Sequence, residues 1–149
     1  MTVQEVYAAG ALYRVTGTGY APSGDIQHDG TAITLDAASS ALRETLVAGL
    51  LCNDSALAEA DDGWRAEGDP TEVALIVAAR KAGLAVADTP EAGATVIHLP
   101  RLDAIPFESQ HQYMATLHDA GPDRSPVAYI KGAVEVILAR CTAALDAAG

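Results

Sequence analysis

Three short segments carry side chains that could hold a flat, hydrogen-bonding ligand. They are Gly68-Asp69-Pro70-Thr71-Glu72, Pro106-Phe107-Glu108-Ser109 with Met114 downstream, and Lys131-Gly132-Ala133-Val134-Glu135. Phe107 is the sole Phe of the chain. Its ring offers a stacking face for a purine, a contact worth about 1–3 kcal/mol per base. The Glu72 carboxylate has several acceptor positions, so it could serve a helix start and still receive an exocyclic amine such as adenine N6. Lys131 would place a cation beside such a ligand. Gly132 lacks a Cβ and would let backbone approach a flat ring closely. Each segment also has a plain structural reading. Asp69 to Glu72 has the spacing of a capping box. A single Phe is most often core. Lys-Gly after a strand is a common turn.

Other chemistries find less support. His28, His98, His111 and His118 lack metal-ligand spacing, although His98 and His118 could be neighbours across a sheet. Asp54, Glu59, Asp61 and Asp62 read as a solvated loop, because the spacing and central Gly of a calcium loop are absent. The GxxxxGK[ST] phosphate loop does not occur, and Gly17-Thr18-Gly19 is no substitute. No Ser, Cys or His stands in a nucleophile signature.

The elements that must position these residues can be read from periodicity and punctuation. The chain has 149 residues, the length of one domain, and a core rich in Ala, Val, Leu and Ile is expected. Strands are expected over Thr2 to Ala8 and Leu12 to Thr16, with Ala9-Gly10 turning between them and a loop over Gly17 to Gly24. A helix over Ala37 to Leu51 would align Leu42, Leu46 and Leu50. Asn53 to Gly68 reads as irregular and acidic. Asp69 as N-cap, Pro70 at the first helical position and Gly83 as the stop define a second helix. Antiparallel strands are expected over Thr95 to Leu99, Asp103 to Phe107, Tyr113 to His118 and Val127 to Lys131. A last helix over Val134 to Leu145 would share one face among Val134, Ile137, Leu138, Cys141 and Leu145. The order implies an α+β domain, mostly antiparallel sheet flanked by helices.

The net charge of −11 disfavours nucleic acid and anionic membrane surfaces as partners. It also requires that any bound phosphate meet local basic groups or Mg²⁺. Cys52 and Cys141 lie in apolar helical patterns and are expected to be buried free thiols of a reducing compartment. No leader is expected ahead of the strand-like start, and no apolar run is long enough to span a bilayer.

In their order and company, the three segments resemble the nucleotide-binding domain of P-type cation-transporting ATPases, in particular the calcium-pump-like group. That family reads GDPTE-x-AL, then a PF-x-S segment ending in Met, then KGAPE. Here the segments are GDPTEVAL, PFESQHQYM and KGAVE. Leu51-Cys52-Asn53-Asp54 is similar to a family segment before the GDPTE helix, and Met1-Thr2-Val3 to a family strand. The His-Pro motif of the heavy-metal pumps is absent. The resemblance implies an ATP site in which Phe107 stacks on adenine and Glu72 faces the amino edge. Lys131 would line base and ribose, with Met114 closing the Phe107 segment. Gly132 and Ala133 would form the backbone wall, and Thr71 would help place Glu72. It implies that Mg²⁺ comes with the nucleotide and is not held by this domain. It further implies one nucleotide-binding domain over residues 1–149, a cytoplasmic fragment of a larger pump embedded in the plasma membrane, without membrane contact of its own. Its partners would be the phosphorylation and actuator domains. The family's phosphorylated Asp stands in a DKTGT motif that this chain lacks, so no hydrolysis by the fragment alone is expected. Gln110, His111 and Gln112 stand where the family carries basic residues, and Val134 where it has Pro, which implies weak binding. A regulatory or interaction module with a degenerate pocket is the alternative. The transported ion is not encoded in these residues.

Overall fold

The computed structural model describes residues 1–35, 40–87 and 93–149. Its strands and helices follow in the order β1 (Glu5–Ala8), β2 (Ala11–Val15), β3 (Ile26–His28), β4 (Thr31–Ala32), α1 (Ser40–Leu51), β5 (Ala56–Ala60), β6 (Gly63–Glu67), α2 (Pro70–Lys81), β7 (Leu84–Val86), β8 (Thr95–Ile97), β9 (Arg101–Glu108), β10 (Tyr113–His118), β11 (Val127–Gly132) and α3 (Val134–Leu138). The fold is α+β and mostly antiparallel, as the pattern implies. Among the described residues the strands form four small sheets: β1-β2-β3-β4, β11-β10-β9, β5-β6 and β7-β8.

Ala9 and Gly10 both take positive φ, 50° and 80°, as a tight turn between twisted strands requires. Asp29-Gly30 repeats this at φ 49° and 78° and builds the β3–β4 hairpin, which the hydrophobic pattern alone does not announce. Asn53 to Gly68 is not irregular. Leu57 and Ala66 are cross-strand partners on the inner face of the β5–β6 hairpin, while Asp61 and Asp62 occupy its tip. β7 was not anticipated either. It pairs in parallel with β8, so Thr95–Ile97 does not join the antiparallel sheet of β9 to β11.

The core lies between α1, α2 and the inner sheet faces. Leu42, Leu46 and Leu50 are all buried, together with Val47, Val73, Ile76 and Val77. The expected start of α1 at Ala37 lies outside the described residues. α2 is capped as its punctuation requires: Asp69 Oδ1 accepts from Thr71 N at 2.8 Å and Glu72 N at 3.2 Å. These two amides, Glu72's first, hold the Asp69 carboxyl below its ordinary pKa. At the other end of α2, Lys81 Nζ donates to the carbonyls of Thr16 and Gly17 at 2.7 and 2.9 Å. Burial lowers the Lys81 pKa.

The last helix is shorter than its apolar periodicity suggests. α3 ends at Leu138 and has no side-chain cap at Ala133. Val134 and Leu138 are 68% and 65% exposed, so this part of the expected stripe is not covered by the described residues, while Ile137 is half-buried. Leu145 is exposed too, and Cys141 lies past the helix end on the surface, contrary to the expected burial. Cys52 is buried, and burial raises its thiol pKa.

Tyr129 on β11 ties the three-stranded sheet to α1 by donating to Glu44 Oε2 at 3.2 Å. Burial, and then the Glu44 charge and hydrogen bond, push its pKa up to about 12. The ordinary Tyr value is about 10. A raised folded-state pKa means the group's stabilisation is complete below pH 10 and is lost as pH climbs through about 12. Unfolding by urea should therefore show a loss of about 1–2 kcal/mol across this window, reduced from the full linkage value because the ring is partly exposed. Tyr129→Phe should flatten that slope.

Candidate functional site

The site begins at the β9–β10 hairpin. Gln112 closes it at φ 58°, and the amides of His111 and Gln112 both return to the Glu108 carbonyl. Tyr113 pairs with Glu108, and Ala115 pairs with Ile105. Two residues of β9, Pro106 and Phe107, therefore oppose the single residue Met114. Such a bulge bends the strand and re-aims its side chains. Phe107 is 58% exposed and is not part of the core. Pro106 suits this place because β9 is an edge strand and the missing N–H leaves no ladder bond unmade.

Across β10, Met114 pairs with Lys131 of β11. Phe107, Met114 and Lys131 thus form one row over three strands, with about 10 Å between the outer backbones. Met114 is buried, and its Sδ accepts from Lys131 Nζ at 2.7 Å. Lys131 Nζ also meets Glu72 Oε1 at 2.5 Å, with side-chain exposures of 23% and 16%. This partly buried pair joins the first turn of α2 to the sheet. Next to Lys131, a Cβ on Gly132 would run into the Gln112 carbonyl oxygen and come within 2.7 Å of Tyr113 Cα. Ala133 N donates to that same carbonyl at 2.9 Å. Gly132 is thus required by the hairpin that carries Phe107, as well as offering an open backbone.

Glu72 does not complete a capping box. The Asp69 amide donates to Ser55 Oγ at 2.9 Å, and Ser55 Oγ donates to Glu72 Oε2 at 2.8 Å. Asp54 N also donates to Oε2, at 3.2 Å. A carboxylate offers about four acceptor positions. Three are taken, and the open one is on Oε1. Thr71 is exposed and serves the cap at Asp69 through its amide and its side chain.

The residues behind Glu72 were not singled out as site residues by their sequence. Asn53 Nδ2 donates to the backbone oxygens of Gly49 and Glu72, and its Oδ1 accepts from Ser55 N. Cys52 Sγ donates to the Met114 carbonyl at 3.6 Å. The Leu51 to Asp54 segment therefore acts as a brace between α1, α2 and β10. Arg101 reinforces it from β9 by donating to Asp54 Oδ1 at 2.7 Å and to the carbonyls of Leu51 and Asn53. A cavity of about 370 Å³ borders this brace, lined by Leu50, Leu51, Asn53, Ser55, Ile97, His98, Arg101 and His118, among others, but not by Phe107, Glu72 or Lys131. His98 and His118 both face it without being sheet neighbours. The His118 ring lies within hydrogen-bond distance of the Leu99 carbonyl and the Thr116 hydroxyl, both at 2.8 Å. Among the described residues, no group of three or more His, Cys, Asp or Glu side chains could hold a metal ion, and no helix is long and apolar enough to cross a membrane.

Residues 41–149 match the family model described as P-type ATPase, cytoplasmic domain N. The chain belongs to this family. It is 46% identical over 149 residues to the cation-transporting ATPase pma1 of Synechocystis sp., covering 97% of this chain and 16% of that protein. It is 44% identical to the probable cation-transporting ATPase F of Mycobacterium tuberculosis, covering 100% of this chain and 16% of the relative. It is 34% identical over 140 residues to the calcium-transporting ATPase of Bacillus subtilis, covering 94% of this chain and 15% of the relative. The chain thus spans about a sixth of the length of these relatives. The resemblance to calcium-pump-like N domains seen in GDPTEVAL, PFESQHQYM and KGAVE agrees with these relatives, and the mostly antiparallel architecture is consistent with the family.

Proposed function

We propose that this N domain binds the adenosine part of ATP and presents the γ-phosphate to a separate phosphorylation domain of an ATP-driven cation pump. The observation that supports this best is the row of Phe107, Met114 and Lys131 with Glu72 at its end: an exposed aromatic face on one side and a fixed cation–carboxylate pair on the other. Phe107 stacks on the purine ring. Glu72 Oε1 takes the amino hydrogen with its one open lone pair. Lys131, already anchored by Glu72 and Met114, lines the base and ribose. Gly132 and Ala133 supply backbone on which the ligand rests.

Asp69, Asp54 and Glu72 are each occupied by a cap, Arg101 and Lys131 respectively. The proposal therefore gives this chain no Mg²⁺-holding role; Mg²⁺ belongs to the phosphates of the nucleotide. Phosphoryl transfer depends mainly on positioning and charge neutralisation. In the pump this domain supplies positioning, and the phosphorylation and actuator domains supply the rest, with the parent embedded in the plasma membrane.

Titration of the chain with ATP, ADP and AMP, followed by amide NMR shifts, tests the reading. Binding held by the base and ribose should give ATP and AMP dissociation constants within about tenfold of one another, a difference of about 1.4 kcal/mol. Shifts should centre on Glu72, Phe107 and Lys131. If millimolar nucleotide moves none of these amides, the domain is a regulatory or interaction module. One observation favours that second reading: the side chains of Gln110 and His111 both turn back to Glu108 Oε2.

A further inference from the structure

We infer that Arg101 is a positioning residue that sets the base selectivity of the site, acting through residues 51 to 55. The inference rests on the reading of Glu72 as the acceptor for an exocyclic amine. Arg101 is far from Glu72 in sequence, and among the described residues its hydrogen bonds go to Asp54, Leu51 and Asn53, not to Glu72. Its guanidinium spreads over three acceptors on three residues: Asp54 Oδ1 at 2.7 Å, the Leu51 carbonyl at 3.1 Å, and the Asn53 carbonyl. The fork reaches them with two separate nitrogens in one rigid plane, Nη1 to Asp54 and Nη2 to the two carbonyls, a spread that the single nitrogen of an ammonium does not reproduce. The next donors along the chain are the two that fix Glu72. Asp54 N and Ser55 Oγ both donate to Oε2 and fill it.

The consequence lies at the other oxygen. With Oε2 filled and Lys131 on Oε1, the carboxylate cannot turn, and one lone pair remains open in one direction. A 6-amino purine brings a hydrogen to that position. A 6-oxo purine brings an oxygen, and two acceptors are then forced together. Rejection by a mispaired polar group is stronger than rejection by shape alone. Once Arg101 is removed, the 51–55 segment loses its ties to β9, the two Oε2 donors are held only by the Asn53 and Asp69 bonds, and a carboxylate freer to turn selects less. Arg101 also borders the 370 Å³ cavity, so water can reach the carbonyls it leaves. The variants are therefore expected to fold.

The test is calorimetric titration of the 149-residue chain and its variants R101K, R101Q and S55A with adenosine triphosphate and inosine triphosphate. Thermal unfolding is recorded for each. The original chain should prefer the adenine nucleotide by about tenfold or more. R101K and R101Q should both reduce the preference to about threefold or less, while inosine triphosphate affinity stays within about threefold of the original. S55A removes a donor to Oε2 directly and should do the same, which keeps the test decisive if an Arg101 variant fails to fold. Unchanged preference in the variants overturns the inference and leaves the adenosine reading intact. Rescue by R101K but not R101Q also overturns it, because charge would then be acting in place of the fork. Equal binding of both nucleotides by the original chain overturns it by removing Glu72 as selector. Binding of neither removes the adenosine reading and the inference together.

Discussion

Phe107→Ala should weaken adenine-nucleotide binding by roughly 5- to 150-fold, the equivalent of about 1–3 kcal/mol of stacking. It should do so while leaving the unfolding midpoint nearly unchanged. The reason is exposure: a ring 58% open to solvent contributes little to the core. Truncating a buried Phe would instead cost about 3–5 kcal/mol of stability. Binding and urea unfolding measured on the one variant therefore separate the two roles. Phe107→Trp should retain or tighten binding, since a larger aromatic face is available. Lost stability with unchanged affinity would sink the stacking role. The β9 bulge makes this division of labour possible. Pro106 and Phe107 share a single opposing residue, so Phe107 is held by the ladder without being covered by it.

Some of this was legible in the chain and some was not, for physical reasons. α2 was readable because each end carries its own chemistry: Asp69 and Pro70 at the start, Gly83 at the stop. α1 was readable from Leu42, Leu46 and Leu50, which all face the core. β3 and β4 are three and two residues long, too short for alternation to register. In β5 and β6 the acidic outer residues obscured the inward Leu57 and Ala66. The parallel β7–β8 pair depends on a non-local contact that local pattern does not encode. α3 misled in the opposite direction, since apolar periodicity reports a face and not whether anything covers it. The candidate site residues Glu72, Phe107 and Lys131 stood out by type and order. What joins them did not. Lys131 and Glu72 are 59 positions apart, and Ser55 and Arg101 carry no local mark of a supporting role.

The Glu72–Lys131 pair should respond asymmetrically to the loss of either partner. Glu72→Leu leaves an ammonium with, among the described residues, the Met114 sulfur as its remaining partner, in a place where under a quarter of the side chain meets solvent. Breaking a fully buried pair costs about 3–5 kcal/mol; partial exposure reduces the expectation here to about 2–4 kcal/mol. Lys131→Met leaves Glu72 with Ser55 Oγ, Asp54 N and the start of α2 as compensation, so a loss of about 1 kcal/mol is expected. The double variant removes both charges and should be more stable than Glu72→Leu alone, because no ammonium is left uncompensated. Urea unfolding of the four proteins in the cycle measures this directly. A purely additive cycle would show that the pair is not coupled and that Lys131 is free for another role. Nucleotide binding on the same four proteins then separates architecture from recognition. If Glu72 only anchors Lys131, the double variant should bind no more weakly than Lys131→Met alone, because the anchored ammonium is already gone. If Glu72 Oε1 receives the purine amine, the double variant should bind adenine nucleotides more weakly than Lys131→Met alone, whatever happens to stability. The structure favours the second outcome, because three donors already hold this carboxylate in place and the remaining lone pair is left on the oxygen that also carries Lys131.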